Sequence, residues 1–327
     1  TIAGLGRIDI LVNNAGLIRR ADAVDFSEKD WDDVMNVNIK SAFFMSQAAG
    51  KQFIAQGSGK IINIASMLSF QGGVFDRVSP RSEQSLSKFR SEYGNGTQET
   101  DKVSTLGVNY QPLKSLKTSF FAANVKDFWN QYYFGATHVL GDSSVLSLTT
   151  GLNYYKTVDE GKAKLGQIDN DTYSLSFGLT HQAHSLTFSY QEVNGNEYFD
   201  YLHETNGIYL ANSLLSDFNG PNEKSLQLAY SINMAQYGIP GLKFNAYHAR
   251  GWDIDGTKYT GTAYDVKNMD GETHYEYSVG TSYAIQSGPL KATAIRATYT
   301  THRASKNQSD GNINEFRLVT TIPFNIL

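Results

Sequence analysis

Cysteine is absent from this chain, which removes disulfides, thiolate metal sites and cysteine nucleophiles at once. No run of about 18 apolar residues occurs, so no transmembrane helix is expected. Charge of neither sign dominates: 18% of residues are charged and the net charge is -4, which excludes a nucleic-acid partner and an acidic tail. Thr1 to Asp9 lack the basic start, apolar stretch and small-residue cleavage site of a signal peptide, and the first residue is not Met. The opening reads as cut. Proline is scarce at 6, whereas Tyr 20, Phe 18 and Gly 29 make an aromatic, glycine-rich balance that suits β-proteins, membrane barrels with aromatic girdles among them.

The first 73 residues read as strand, helix, strand. Ile8-Asp9-Ile10-Leu11-Val12 is a short buried-strand run that feeds into Asn13-Asn14-Ala15-Gly16. Ser27-Glu28-Lys29-Asp30 is a capping box, with Ser27 placed to accept from first-turn N–H groups. Trp31, Val34, Met35, Ile39, Phe43 and Phe44 then recur at helical spacing up to about Gln56, where Gly57-Ser58-Gly59 stops the helix. Lys60 to Ser66 is the second strand, which makes a right-handed parallel unit of Rossmann-like α/β type.

These residues resemble the short-chain dehydrogenase/reductase family, in particular its sugar-acid (deoxygluconate) dehydrogenases. The resemblance implies that Asn13 and Gly16 belong to the motif that steadies the central sheet beside the cofactor. It likewise implies that Asn38 is the Asn of a catalytic water relay and that Ser66 holds the substrate carbonyl. The family then needs a Tyr and, four residues on, a Lys; Ser79 stands at the Tyr position, followed by Arg81, Ser82, Glu83 and Gln84. Without them there is no proton donor and nothing to lower its pKa. Tyr110 to Lys114 has the right spacing but comes far too late and encloses Pro112. The glycine-rich phosphate loop is not found before Thr1. No enzyme activity and no cofactor are expected, and Asn38 and Ser66 read as leftovers.

From about residue 74 the period changes to two. Strands are expected at about 103–110, 116–126, 128–140, 144–157, 172–182, 185–194, 224–235, 242–251, 274–286, 289–302 and 313–326, with a further one at about 83–93. Tight connections, such as Gln182-Ala183-His184 and Gly238-Ile239-Pro240-Gly241, alternate with mostly long ones at about 158–171, 195–223, 252–273 and 303–312. Short turns on one rim and long loops on the other are what an outer-membrane barrel requires. In the last stretch Phe316, Leu318, Thr320, Ile322, Phe324 and Ile326 share one face, a pattern that suits a closing barrel strand.

This part, about three-quarters of the chain, resembles the OprD-type porins of the bacterial outer membrane. The marks are Phe199-Asp200-Tyr201-Leu202, Ile208 to Ser213, Ser216-Asp217-Phe218-Asn219, Gly238 to Leu242, Ala249-Arg250-Gly251 and Ser287 to Lys291. The resemblance implies a monomeric barrel of about 18 strands whose loops fold in to narrow the pore. Many members pass carboxylates or basic amino acids along a lumen ladder of Arg and Lys, and chitoporin relatives pass chito-oligosaccharides. By strand facing, the lumen here shows Lys243, Asn245, Tyr247, Ser278, Ser282, Arg296, Thr298, Glu315 and Arg317, with Lys243, Tyr247, Arg296 and Arg317 as the principal pore-lining candidates. This ladder is sparse and leans towards neutral sugars.

His181 and His184 flank a tight turn with no third ligand, so no metal site is expected. Arg250 and Arg303, at strand ends, suit lipid-headgroup or loop contacts as well as solute contacts, and Tyr198 to Phe218 suits either an inward constriction or an exposed loop, its aromatic content favouring the constriction. The reading is mainly β: a partial antiparallel transmembrane barrel of 11 or 12 strands over 74–327, behind a truncated dehydrogenase fragment over 1–73. The expected function is passive uptake of small hydrophilic solutes at the outer membrane. The partners would be the lipid bilayer, the solutes and, if the chain is exported, the barrel-assembly machinery. Inactivity as a truncated chimera, arising by gene fusion or from a gene-calling artefact, belongs to that expectation. An inactive dehydrogenase remnant and a soluble β-rich binding protein are the alternatives.

Overall fold

The structure, a computed structural model, describes residues 6–13, 15–17, 19, 27–63, 68–79, 85–96, 98–203 and 208–323. The chain divides into two compact units, Thr1–Gly73 with Leu106–Tyr110, and Val74–Thr105 with Gln111–Leu327.

In the first unit, β1 (Ile10–Asn13) and β2 (Lys60–Asn63) pair in parallel. The capping box forms: Ser27 Oγ accepts from the Asp30 N–H at 3.1 Å and starts α1 (Glu28–Met35). The expected single helix is interrupted by a π-helical segment, Asn36–Lys40, before α2 (Ser41–Gln56). Such segments often mark functional positions, and this one contains Asn38. Gly57 closes α2 at φ 75°, a left-handed cap that glycine adopts without strain. Of the described apolar side chains here, Leu11 and Ala49 are buried, whereas Trp31, Phe43, Phe44, Met45 and Ile54 are exposed.

The sequence reading did not foresee β3 (Leu68–Phe75). It did foresee a strand over about 83–93. Among the described residues of that range the structure has only β4 (Phe89–Arg90), which pairs with β5 (Glu99–Thr100); residues 80–84 lie outside the described ones. The Ser- and Arg-rich composition there lacks the alternation that holds a longer strand on a sheet.

The remaining strands follow closely the positions read from the alternation. They are β6 (Val103–Leu113), β7 (Leu116–Val125), β8 (Trp129–Asp142), β9 (Leu146–Asp159), β10 (Asp169–His181), β11 (His184–Asn194), β12 (Lys224–Asn233), β13 (Leu242–Asp255), β14 (Asp270–Ala284), β15 (Ala294–Ala304) and β16 (Ile313–Thr321). The main sheet has 12 strands, in the order β16-β15-β14-β13-β12-β11-β10-β9-β8-β7-β6-β3. Among the described residues β16 has β15 as its one hydrogen-bonded neighbour. From β7 to β16 each ladder is antiparallel. Strands of 14 and 15 residues in β8, β9, β13 and β14 are long enough for a tilted bilayer crossing. The chain is mainly β, a partial antiparallel transmembrane barrel behind a small α/β fragment. The strand start that moves most is that of β15, at Ala294 rather than near 289, because the Ile285 N–H bonds Thr293 O at 2.9 Å and prolongs the turn.

Facing follows the period of two. One transverse row, Ser189, Gln227, Ala249, Glu276 and His302, is buried throughout. Its counterpart on the other face, Phe177, Phe188, Leu228, His248 and Tyr277, is exposed. Polar inside and apolar outside inverts a soluble sandwich and matches a sheet whose outer solvent is lipid. The largest apolar cluster lies not between layers but among the long connections, where Phe128, Leu165, Ile254, Tyr264, Val266 and Met269 pack together.

Candidate functional site

Between β11 and β12 the described residues, 195–203 and 208–223, fold onto the polar face of the sheet. Phe199 and Phe218 are both 1% exposed, so burial of aromatic area holds the loop down. A loop without a ladder must satisfy its N–H groups elsewhere. Here the strands' side chains accept them. The N–H of Tyr209 donates to Tyr155 Oη on β9, that of Ala211 to Ser174 Oγ on β10, and that of Asn212 to Gln191 Oε1 on β11, each at 3.0 Å. Asn212 Nδ2 donates to Ser225 Oγ on β12 at 2.9 Å. The N–H groups of Leu215 and Ser216 donate to Glu276 on β14 at 3.2 and 3.0 Å, and Tyr247 on β13 donates to the same carboxylate. Every strand from β9 to β14 therefore presents a polar side chain to this network.

The loop also carries buried carboxylates. Asp200 is 4% exposed and accepts from Tyr264 Oη at 2.8 Å, from Ser91 Oγ, and from the N–H groups of Glu92, Tyr93 and Tyr201 at 3.1, 3.2 and 2.7 Å. Burial pushes its carboxyl up to about 6 against the opposing pull of those donors. Glu197 is raised to about 7, again by burial. Asp217 accepts from the hydroxyls of Tyr93 and Tyr201 at 2.7 and 2.8 Å, and Tyr93 stacks on Tyr198 with ring centroids 4.5 Å apart. The arrangement is a collar of tyrosines and acids.

Lys243, Tyr247, Arg296 and Arg317 lie on the same polar face, but only Tyr247 reaches the collar. Lys243, Ser282 and Arg296 form one register row, which places the two cations two strands apart, roughly 10 Å. That row is four residues from Tyr247 towards the tight turns, about 13 Å along the strand. Arg317 bonds Glu315 at 2.7 Å, which offsets its charge locally. Glu276, Gln191 and Tyr155 escaped the sequence reading although each has inward parity. His181 and His184 sit opposite one another at their turn, His184 bonded to the hydroxyls of Tyr230 and Tyr237. Arg303 donates to Ile313 O at 3.0 Å and to Asn314 Oδ1 at 2.9 Å, a contact with the start of β16 rather than with lipid or a loop.

In the first unit, Asn38 holds Leu17 at both ends, accepting from its N–H at 2.7 Å and donating to its carbonyl at 2.8 Å. A Cβ on Gly16 would lie 3.9 Å from Asn38 Oδ1, so these two are close, whereas Asn13 Nδ2 is tied to Ser46 Oγ at 2.9 Å. Ser66 lies outside the described residues.

A profile described as "outer membrane porin, OprD family" matches residues 57–326, and one described as "short chain dehydrogenase" matches residues 1–78. Porin D of Pseudomonas aeruginosa is 37% identical over 303 residues, which are 86% of this chain and 68% of that protein. The 2-dehydro-3-deoxy-D-gluconate 5-dehydrogenase of Escherichia coli K12 is 81% identical over 74 residues, 22% of this chain and 29% of that protein. The crystal structure of Pseudomonas aeruginosa OccD3 (OpdP) superimposes with a TM-score of 0.78 at 47% identity, covering 80% of this chain and 66% of that one. The chain thus spans about two thirds of these porins and under a third of that dehydrogenase.

Proposed function

The chain belongs to the OprD family of outer membrane porins, and on that premise we propose that residues 74–327 are the C-terminal portion of a channel for small hydrophilic solutes. Neutral or amino-sugar oligosaccharides fit it better than carboxylates, with basic amino acids next. The observation that carries this reading is the folded-in loop, over residues 195–203 and 208–223, whose buried acids and hydroxyls fasten it to the sheet and which leaves the Tyr209 side chain exposed. Lys243, Arg296 and Arg317 stand beyond it as a sparse set of cations, with Arg317 offset by Glu315 at 2.7 Å, which supports weak rather than strong anion preference.

β16 has one ladder neighbour among the described residues, and in lipid each unpaired backbone group costs several kcal/mol. Residues 1–73 form a separate, catalytically silent segment joined near Gly73, because Ser79 replaces the required Tyr. Export would direct the barrel portion to the outer membrane, with the barrel-assembly machinery inserting it.

The test is conduction in planar bilayers by a chain completed to the length of its porin relatives. Single-channel currents with weak ion selectivity, and faster liposome swelling in chito-oligosaccharides than in carboxylates, are expected. No conductance, or a strong anion preference, would refute the reading. Cofactor fluorescence titration of the chain as it stands should show no nicotinamide binding; a micromolar Kd would revive a dehydrogenase role for the first unit.

A further inference from the structure

At the long-loop end of β14 and β15 two imidazoles face each other, His274 Nδ1 2.8 Å from His302 Nε2. They are 2% and 0% exposed. The far nitrogen of each ring is already held. His302 Nδ1 donates to the Gly311 carbonyl at 2.7 Å, so Nε2 is the nitrogen that this ring turns towards His274. His274 Nε2 is 2.5 Å from Glu223 Oε1. Asp310 brings a carboxylate to the same point, and the ligating atoms of His274, His302 and Asp310 lie within 4.8 Å of one another. Ser216 Oγ donates to Asp310 Oδ2 at 2.5 Å and is 3.4 Å from His274 Nδ1.

We propose that His274, His302 and Asp310 form a binding site for a divalent transition metal, Zn²⁺ being the ion this donor set fits. Two imidazole nitrogens and a carboxylate oxygen suit zinc, cobalt or nickel rather than the oxygen-only demands of calcium or magnesium. Each imidazole is oriented from behind, one by a carboxylate and one by a backbone carbonyl, which is how metal-binding histidines are held. A tetrahedral ion with bonds of about 2.0–2.2 Å separates its ligand atoms by roughly 3.4 Å, so the two rings, now 2.8 Å apart, part by roughly 0.6 Å and the Asp310 carboxylate, within 4.8 Å, closes in by up to roughly 1.4 Å.

Charge argues the same way. The carboxylates of Glu223, Glu276 and Asp310 all bear on His274, and Glu223 and Glu276 are 1% and 0% exposed. Among the described residues no Lys or Arg pairs with any of the three. A single proton shared among the rings and Glu223 offsets one negative charge; a divalent cation offsets two. Room for this pairing is kept by Gly251, where a Cβ would collide with both Glu223 and His274. Ser216 and Glu223 belong to the folded-in loop and Asp310 to the 305–312 connection, so a bound ion would clamp both to the wall.

The probe is Co²⁺ added to the whole chain refolded in detergent, its strand content verified by far-UV circular dichroism. One equivalent should bind with the visible absorption of tetrahedral cobalt, be displaced by Zn²⁺ and be released by urea. His302→Gln and Asp310→Asn should abolish this binding, and Glu223→Gln should weaken it about 10–100-fold. His184→Gln, at the other histidine pair, should leave it unchanged. Asp310 sits on a loop, so its variant keeps the test valid should His302→Gln fail to fold. No stoichiometric binding by the folded chain, binding indifferent to Asp310→Asn, or equal loss in His184→Gln would each reduce the cluster to a proton-sharing network.

Discussion

Phe43 in α2 is 61% exposed and Leu228 in β12 is 52% exposed, yet the causes are opposite. Leu228 stands in a row of outward residues with Phe188 and Tyr277, on a sheet whose other face is buried and polar. Its exposure is to lipid. Phe43, with Phe44, Met45 and Ile54, belongs to an α/β layer whose described residues bury only Leu11 and Ala49 among the apolar side chains. A layered fold needs a second covered face, and here that burial is uncompensated. Exposed apolar area thus means a different solvent in one unit and an unfinished core in the other.

The largest effect should come from isolating the first unit. Residues 1–63 alone should show no cooperative thermal transition by circular dichroism, since two four-residue strands and helical segments of 8, 5 and 16 residues that bury little apolar area cannot offset their ordering entropy. A sharp melt would mean that the exposed helix face finds burial after all.

Next comes a matched pair of substitutions. In lipid vesicles Leu228→Arg should cost about 2–4 kcal/mol in a urea titration, as charge facing the bilayer does, while Phe43→Arg should stay within about 0.5 kcal/mol. Equal costs would erase the distinction between the two exposures.

Smaller, and confined to the collar, is a pH effect. Asp200 and Glu197 are raised in the folded chain to about 6 and about 7 from 3.8 and 4.5. A raised carboxyl favours folding when protonated. Its contribution is complete below the unfolded values and is lost as pH rises through about 6 and about 7. Protection factors at residues 198–203, with the intrinsic pH dependence of amide exchange divided out, should therefore rise on moving from about pH 8 to about pH 5, by the equivalent of about 1–3 kcal/mol. Asp200→Asn should flatten that profile.

The smallest effect concerns permeation. In a completed chain Arg296→Ala should shift the reversal potential away from anions, and Arg317→Ala should shift it less because Glu315 already offsets that charge at 2.7 Å. Unchanged potentials in both would count against the facing of β15 and β16.

The strands were legible because a residue that faces lipid and one that faces water differ in type at every second position, as Leu226, Leu228 and Tyr230 against Gln227, Ala229 and Ser231 illustrate. The capping box at Ser27 was legible for the same local reason. β3 was not, since Gln71-Gly72-Gly73 reads as a breaker and what holds a strand is its neighbour rather than its own composition. The collar was half legible. Aromatic content marked Tyr198 to Phe218, but the pairing of Asp200 with Ser91 and Tyr264 joins residues 109 and 64 positions apart, and no local pattern carries that. Glu276 looked like any inward polar residue of its strand until its two loop N–H partners were placed.

Five of the bonds that fasten the collar to the wall are given by the loop's main chain and received by side chains of the strands: Tyr155, Ser174, Gln191 and Glu276. Anchorage and solute contact are therefore written in different alphabets. The exposed Tyr209 side chain, or that of Ala211, can be exchanged without unfastening the loop, because the atom that grips the wall is the N–H that every residue but proline carries. Diversification of what passes can proceed along the loop while the strands keep a fixed set of receiving groups. Loss of grip comes from proline in the loop, or from alanine at the four acceptors.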